Sequence, residues 1–125
     1  MISKTRRQML LTTASLGAAS MAPAALAQSA YPNKTIRLQV PFAPGGGTDL
    51  IARTLGHGMS KELGQSVIID NKPGAGGVAA GELVAKAEPD GHTLLLMSNG
   101  TAVSAGLFKS LPYDTLKDFA PVSTL

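Results

Sequence analysis

Apolar and polar positions alternate from Thr35 to Phe42, where Ile36, Leu38, Val40 and Phe42 are interleaved with Arg37, Gln39 and Pro41. A period of two marks a strand with one better-buried face. The next apolar set, Ile51, Leu55, Met59 and Leu63, recurs every four residues. That spacing predicts a helix capped by Thr48 or the residue before it and stopped by Gly64. Gly56 and Gly58 weaken this helix by about 1 kcal/mol each. Val67-Ile68-Ile69 is an unbroken apolar run suited to a parallel strand covered on both faces. Gly77 to Ala87 reads as a helix ended by Pro89-Asp90-Gly91, and Thr93 to Met97 as a third strand. Ser98-Asn99-Gly100-Thr101 leads into another small-residue helix through Phe108, and Ala120 to Leu125 reads as the start of a fourth strand. Strand and helix alternate throughout. The fold class is therefore α/β, a βαβαβ part of a doubly wound parallel sheet.

The connections carry the candidate chemistry. Pro41-Phe42-Ala43-Pro44-Gly45-Gly46-Gly47-Thr48-Asp49 and Asn71-Lys72-Pro73-Gly74-Ala75-Gly76-Gly77 each follow a strand and each open a helix. A helix start leaves backbone N–H groups unpaired and carries partial positive charge, so a loop bare of side chains lets a carboxylate or phosphate reach those donors. Two such loops from neighbouring parallel strands converge on one pocket, and Ser98 to Thr101 lands on the same edge of the sheet.

The N-terminus reads differently. Lys4, Arg6 and Arg7 stand without an acid, Met9 to Leu26 is small and apolar, and Ala25-Leu26-Ala27 is a small-x-small cleavage site. Residues 1–27 are expected to be an export signal peptide cleaved near Ala27, with residues 28–125 forming the mature part. Thr5-Arg6-Arg7-Gln8-Met9-Leu10-Leu11 resembles a twin-arginine signal, and the Sec route stays open beside it. Ser15, Gly17, Ser20 and Pro23 interrupt the apolar stretch, which falls short of the roughly 20 strongly apolar residues of a spanning helix.

Charge changes meaning once that segment is set apart. The chain is formally +3, and Lys4, Arg6 and Arg7 account for the excess, so the mature part is neutral. No basic block interleaved with aromatics follows Gln28, which excludes nucleic acid as an expected partner. The absence of cysteine excludes disulfides and thiolate metal sites. His57 and His92 lack a second His or Cys at ligand spacing and read as structural. No metal or other cofactor is expected.

Other residues have plain readings beside the functional ones. Asp49, in the first turn of a helix, is favourable to the dipole whatever the ligand does; as a site residue it would orient waters or an ammonium group. Lys72, before Pro73 in an extended loop, reads as a solvated lysine. Tyr113, Asp114 and Phe119 read as a surface turn docked on the core. Gly74-Ala75-Gly76-Gly77-Val78-Ala79 formally fits G-x-G-x-x-A, which would make the chain a fragment of a dinucleotide-binding oxidoreductase. It follows the second strand, however, and the next strand ends in Ser98-Asn99 with no ribose-binding acid. No Gly-Lys-Ser/Thr and no G-x-S-x-G occurs, so a phosphate-loop ATPase and a nucleophile-elbow hydrolase are set aside.

Several motifs stand in order along the mature part: Tyr31-Pro32, Ile36-Arg37-Leu38, Val40 to Gly46, Asp49, Ala52-Arg53, Asn71 to Gly77, Pro89-Asp90-Gly91, Leu111-Pro112-Tyr113-Asp114 and Lys117 to Val122. Together they resemble the Bug family, the TctC-like periplasmic solute receptors of tripartite tricarboxylate transporters. The resemblance implies the first lobe of a type II periplasmic-binding-protein-like fold that captures small carboxylates without catalysis, with the membrane components of such a transporter as partners. It implies a ligand site at Phe42, Gly45, Gly46, Gly47, Thr48 and Asp49 in the first loop and Gly74, Ala75, Gly76 and Gly77 in the second, with Ser98, Asn99 and Thr101 as third contributors. Family members are well over twice as long. Residues 28–125 suffice for one small core and not for two lobes, so the chain is expected to be the N-terminal part of such a receptor, either a working lobe or a truncated, non-functional fragment with its second lobe absent.

Overall fold

The computed structural model describes residues 30–125, and the expected export signal lies outside them. Three strands form one parallel sheet in the order β2-β1-β3: β1 is Ile36–Val40, β2 Val67–Asn71 and β3 Thr93–Leu95. Leu38 stands opposite Ile69 on one side and Leu94 on the other. The helices are α1 (Gly47–Leu63), α2 (Val78–Ala85), entered through a 3-10 turn at Ala75–Gly77, and α3 (Asn99–Leu107). After β2 the connection reverses direction across β1. Right-handed crossovers therefore place α1 and α2 on opposite faces, which is the doubly wound arrangement.

The main core is built on the α1 face. Leu38, Val40 and Ala52 are buried there, with Leu55, Val67, Ile69, Leu94 and Leu96 packed around them. The stripe that α1 buries differs from the one its largest residues suggest. Asp49, Ala52 and Gly56 are the buried positions, while Ile51 is 52% exposed. The reason is close approach: a Cβ at Gly56 would lie 2.9 Å from Ile69 Cδ1 and 3.4 Å from Val67 Cγ1, so the helix rolls its small residues onto β2.

Strand limits follow the hydrogen-bond ladder. β1 stops at Val40, two residues before the expected end, because Pro41 has no N–H to donate. β3 is also shorter than expected, although Leu96 N–H still donates to the Gln39 carbonyl at 2.9 Å. β2 is not covered on both faces: Ile68 is 45% exposed, since β2 is the edge strand and α2 packs on β3 and β1 instead. No strand forms over residues 120–125, which lie exposed; a strand needs a partner ladder, and these residues have none among the described residues. The stop of α1 is as expected, with Gly64 left-handed at φ 65°. Its start is not: the N-cap is Gly46, with no side-chain cap. The carboxylate of Asp49, in the first turn, instead reaches back beyond the N-cap and accepts from Gly45 N–H at 2.9 Å.

Beyond α3, the segment around Tyr113 folds back onto α2. The Tyr113 ring lies over Gly81, where a Cβ would come within 2.6 Å of Cζ, and meets Phe119 edge to face at 5.3 Å. Asp114 Oδ1 accepts from Leu116 N–H and Lys117 N–H at 3.0 and 3.2 Å. The expected docked surface turn is thus present.

Candidate functional site

All three strand-to-helix loops leave the same edge of the sheet, and specific contacts join them into one rim. Lys72 N–H donates to the Val40 carbonyl at 2.8 Å, carrying β2 one residue beyond its partner. Asn71 Nδ2 donates to the Phe42 carbonyl and to Asp49 Oδ1, both at 3.0 Å. The first and second loops are thereby tied. The second and third meet through bare backbone: a Cβ at Gly100 would lie 3.7 Å from the Gly76 carbonyl oxygen, and one at Gly77 would lie 2.7 Å from Thr101 Oγ1.

The second loop is unusual in its backbone. Gly74, Ala75, Gly76 and Gly77 all have positive φ, at 152°, 42°, 66° and 99°. Three of the four are glycines, which tolerate that region; Ala75 does not, and holds local strain of about 1 kcal/mol or more. Such strain concentrates where the chain's path is dictated by something other than its own comfort.

The first loop is organised by Asp49. Its Oδ2 accepts from Arg53 Nε–H and from Gly45 N–H, each at 2.9 Å. Arg53, Gly45 and Asn71, in that order of effect, lower its pKa from the ordinary 3.8 to about 2. The acid therefore stays ionised at any physiological pH, with its charge turned inward. On β2, Asp70 faces Lys72 Nζ at 3.4 Å and Gln39 Nε2 at 3.3 Å. Lys72 is accordingly paired, not freely solvated.

The expected site residues divide by placement. Gly45, Gly46, Gly47, Gly74, Ala75, Gly76 and Asn99 are exposed, and Thr48 and Ser98 are half-buried. Phe42 is exposed beside them. Asp49, Gly77 and Thr101 are buried. Thr101 closes the third loop from below: its N–H donates to Ser98 Oγ at 3.4 Å, and its carbonyl accepts from Ser104 Oγ at 2.6 Å. Arg53 and Asn71 were not among the expected site residues, yet they complete the Asp49 cluster. The i, i+4 spacing of Asp49 and Arg53 was the available signal for the first of them.

Away from the rim, at the opposite edge of the sheet, a depression of about 340 Å³ is lined by Tyr31, Asn33, Lys34, Asp90 and His92. Lys34 Nζ sits 2.7 Å from Asp90 Oδ2, and Tyr31 O–H donates to the Gly91 carbonyl at 2.8 Å. These contacts anchor the chain's entry into β1. Among the described residues no group of three or more His, Cys, Asp or Glu could hold a metal ion, and no helix is long and apolar enough to cross a membrane.

In an open parallel α/β sheet, ligands bind outside the carboxyl ends of the strands, which is where these glycine-rich loops share one rim. The chain belongs to the family described as TctC, tripartite tricarboxylate transporter family receptor, whose profile matches residues 51–125. A UPF0065 protein of Bordetella pertussis is 51% identical over 118 residues, covering 92% of this chain and 35% of that protein. Protein BugT of the same organism is 45% identical over 95 residues, covering 74% of this chain and 29% of its own length. Among solved structures, MatC from Rhodopseudomonas palustris with bound malate superposes with a TM-score of 0.70 at 47% identity, over 74% of this chain and 32% of that one. A second R. palustris protein, solved with adipate, gives a TM-score of 0.58 at 33% identity, over 67% of this chain and 28% of that one. The Bug-family resemblance and the periplasmic-binding-protein fold are thereby borne out. Members of the family are periplasmic transport receptors. The chain spans about a third of the length of the curated relatives it matches.

Proposed function

We propose that this chain supplies the carboxylate-capturing rim of a periplasmic receptor that delivers small organic acids to the membrane components of a tripartite tricarboxylate-type transporter. The observation that carries the reading is the tying of three strand-to-helix loops into one rim of exposed backbone, bare of side chains at Gly45 to Gly47, Gly74 and Gly76 and bearing only a methyl at Ala75. Backbone N–H groups at helix starts hold an anion by direct hydrogen bonds and by the aligned peptide dipoles. The relatives solved with malate and adipate support a carboxylic acid as that anion. Residues 1–27 export the chain and are removed near Ala27. Phe42, Gly45 to Asp49, Gly74 to Gly77, Ser98, Asn99 and Thr101 build the site, some by direct contact and some from beneath. The role is binding, without catalysis.

Affinity follows from how much of the ligand one rim can enclose. A helix start contributes about 0.3 to 2 kcal/mol and each hydrogen bond to a charged group about 1.5 to 3, against the 8 kcal/mol or so that micromolar binding needs net. Residues 28–125 alone are expected to bind at millimolar strength or weaker.

The test is thermal unfolding of residues 28–125 with succinate, malate, citrate, glutamate and benzoate at concentrations up to the molar range. An acid at a hundred times its Kd adds about 2.7 kcal/mol, which shifts the midpoint of so small a domain by roughly 10 °C. A shift produced by carboxylates and not by matched sodium chloride supports the reading. Equal shifts from every salt would sink it, and quenching by NADH would turn it toward a dinucleotide enzyme.

A further inference from the structure

Asp49 sits in the middle of the proposed ligand rim, yet it offers a ligand nothing. Its residue is 4% exposed. Oδ2 is taken by Gly45 N–H and Arg53 Nε–H, and Oδ1 by Asn71 Nδ2. A carboxylate has about four lone-pair positions, so the group is nearly saturated from inside the protein. Its negative charge would also repel the anion that the rim is proposed to hold.

What the bonds connect is informative. A first-turn acid that merely steadied its own helix would act through the dipole from an exposed position. Only the Arg53 bond stays within α1. The other two leave the helix: one reaches back to Gly45 in the loop before it, and one crosses to Asn71 at the end of β2. Asn71 in turn donates to the Phe42 carbonyl at 3.0 Å, and Arg53 Nη2 approaches Asn71 Oδ1 at 3.5 Å. The result is a closed circuit that joins the first glycine-rich loop to the end of β2, where the second loop begins. Glycines at three successive positions, 45 to 47, give the first loop no stiffness of its own. The circuit supplies it.

Resting on the receptor reading, we propose that Asp49 is a positioning residue that does not touch the ligand: it clamps the first loop to the end of β2, so that the N–H donors of the first and second loops are aimed at one carboxylate before it arrives. Binding to a preset rim avoids the ordering cost that loose glycine loops would incur.

The experiment uses the full chain labelled with nitrogen-15, as wild type, Asp49→Asn and Asn71→Ala, with succinate as probe. The Asp49→Asn change keeps the shape of the side chain and leaves one acceptor oxygen where the clamp needs two. Amide exchange is followed at Gly45 and across β1, and succinate affinity by chemical-shift titration. The clamp predicts that Asp49→Asn speeds exchange at Gly45 at least tenfold, leaves β1 amides unchanged, and raises the Kd for succinate about tenfold. Asn71→Ala should give the same local pattern. A weakened Kd with unchanged Gly45 exchange would make Asp49 a direct ligand contact and overturn the proposal. Faster exchange with unaltered Kd would overturn it too, since presetting would then contribute nothing. If the wild type binds no carboxylate at all, the receptor reading fails, and with it the claim that donors are aimed at a ligand; faster Gly45 exchange in Asp49→Asn would then support the clamp alone. Should Asp49→Asn unfold, the same readings on Asn71→Ala decide.

Discussion

Gly77 lies flat against Thr101, so close that a Cβ at Gly77 would stand 2.7 Å from Thr101 Oγ1 and 3.1 Å from Pro41 Cβ. At this point the second loop, the third loop and the end of β1 share one contact. Gly77 also has φ 99°, which an L side chain adopts only with strain. Gly77→Ala is therefore expected to cost about 2 to 4 kcal/mol, from overpacking and backbone strain together. Urea unfolding measures it; a loss under about 1 kcal/mol would mean the three loops are not packed as described.

Gly81 and Tyr113 form a second close pair, on α2. The Tyr113 hydroxyl is buried with no hydrogen-bond partner among the described residues. Leaving a polar group unpaired costs more than removing it. Tyr113→Phe should be neutral or stabilising by up to about 1 kcal/mol, whereas Tyr113→Ala should lose about 3 kcal/mol or more with the ring. Equal losses from both would point to a bonded hydroxyl.

Stability should fall steeply only in strong acid. Asp49 is lowered to about 2 by Arg53, Gly45 and Asn71, and Asp90 to about 2 by its hydrogen bond with Lys34 and by the His92 N–H. Because both folded values lie below the ordinary 3.8, the unfolded chain binds more protons between those limits, and stability rises with pH there. The contribution is complete above about pH 4 and is lost as pH drops through about 2. Denaturant midpoints taken from about pH 6 down to about pH 2 should show this slope. Asp49→Asn should remove part of it and leave the Asp90 part; an unchanged slope would contradict the Asp49 cluster.

Gly58 is exposed in the interior of α1, and nothing lies within 4 Å of where its Cβ would be. Gly58→Ala should stabilise by about 0.5 to 1 kcal/mol, since alanine restricts the unfolded chain and fills a helical position without strain. Thermal unfolding in parallel with Gly56→Ala is the check. The latter places its Cβ 2.9 Å from Ile69 Cδ1, so it should gain less than Gly58→Ala or lose outright.

The chain's own order of residues determined the kind and succession of elements. The two-residue period at Ile36 to Val40, the stop at Gly64 and the glycine turns before two helices are local features, set by backbone stereochemistry within a few residues, and so they are legible without a fold. The family motifs were legible for the same reason, being short and contiguous. Which face each element turned inward was not. The period of four at Ile51, Leu55, Met59 and Leu63 marked a helix with an apolar side, but the buried stripe runs through Ala52 and Gly56, because the closest approach of α1 to β2 is decided by both backbones at once. Ile68 and residues 120–125 show the same limit: an apolar run becomes a covered or paired strand only if a helix or neighbouring strand arrives beside it. Asp49 carries the lesson to the candidate site. Its position in the first turn of a helix left a dipole role and a site role equally open, and only the arrival of Asn71, 22 residues further along the chain, turned its second oxygen inward. A hydrogen bond across that distance depends on the sheet register, which no local pattern contains.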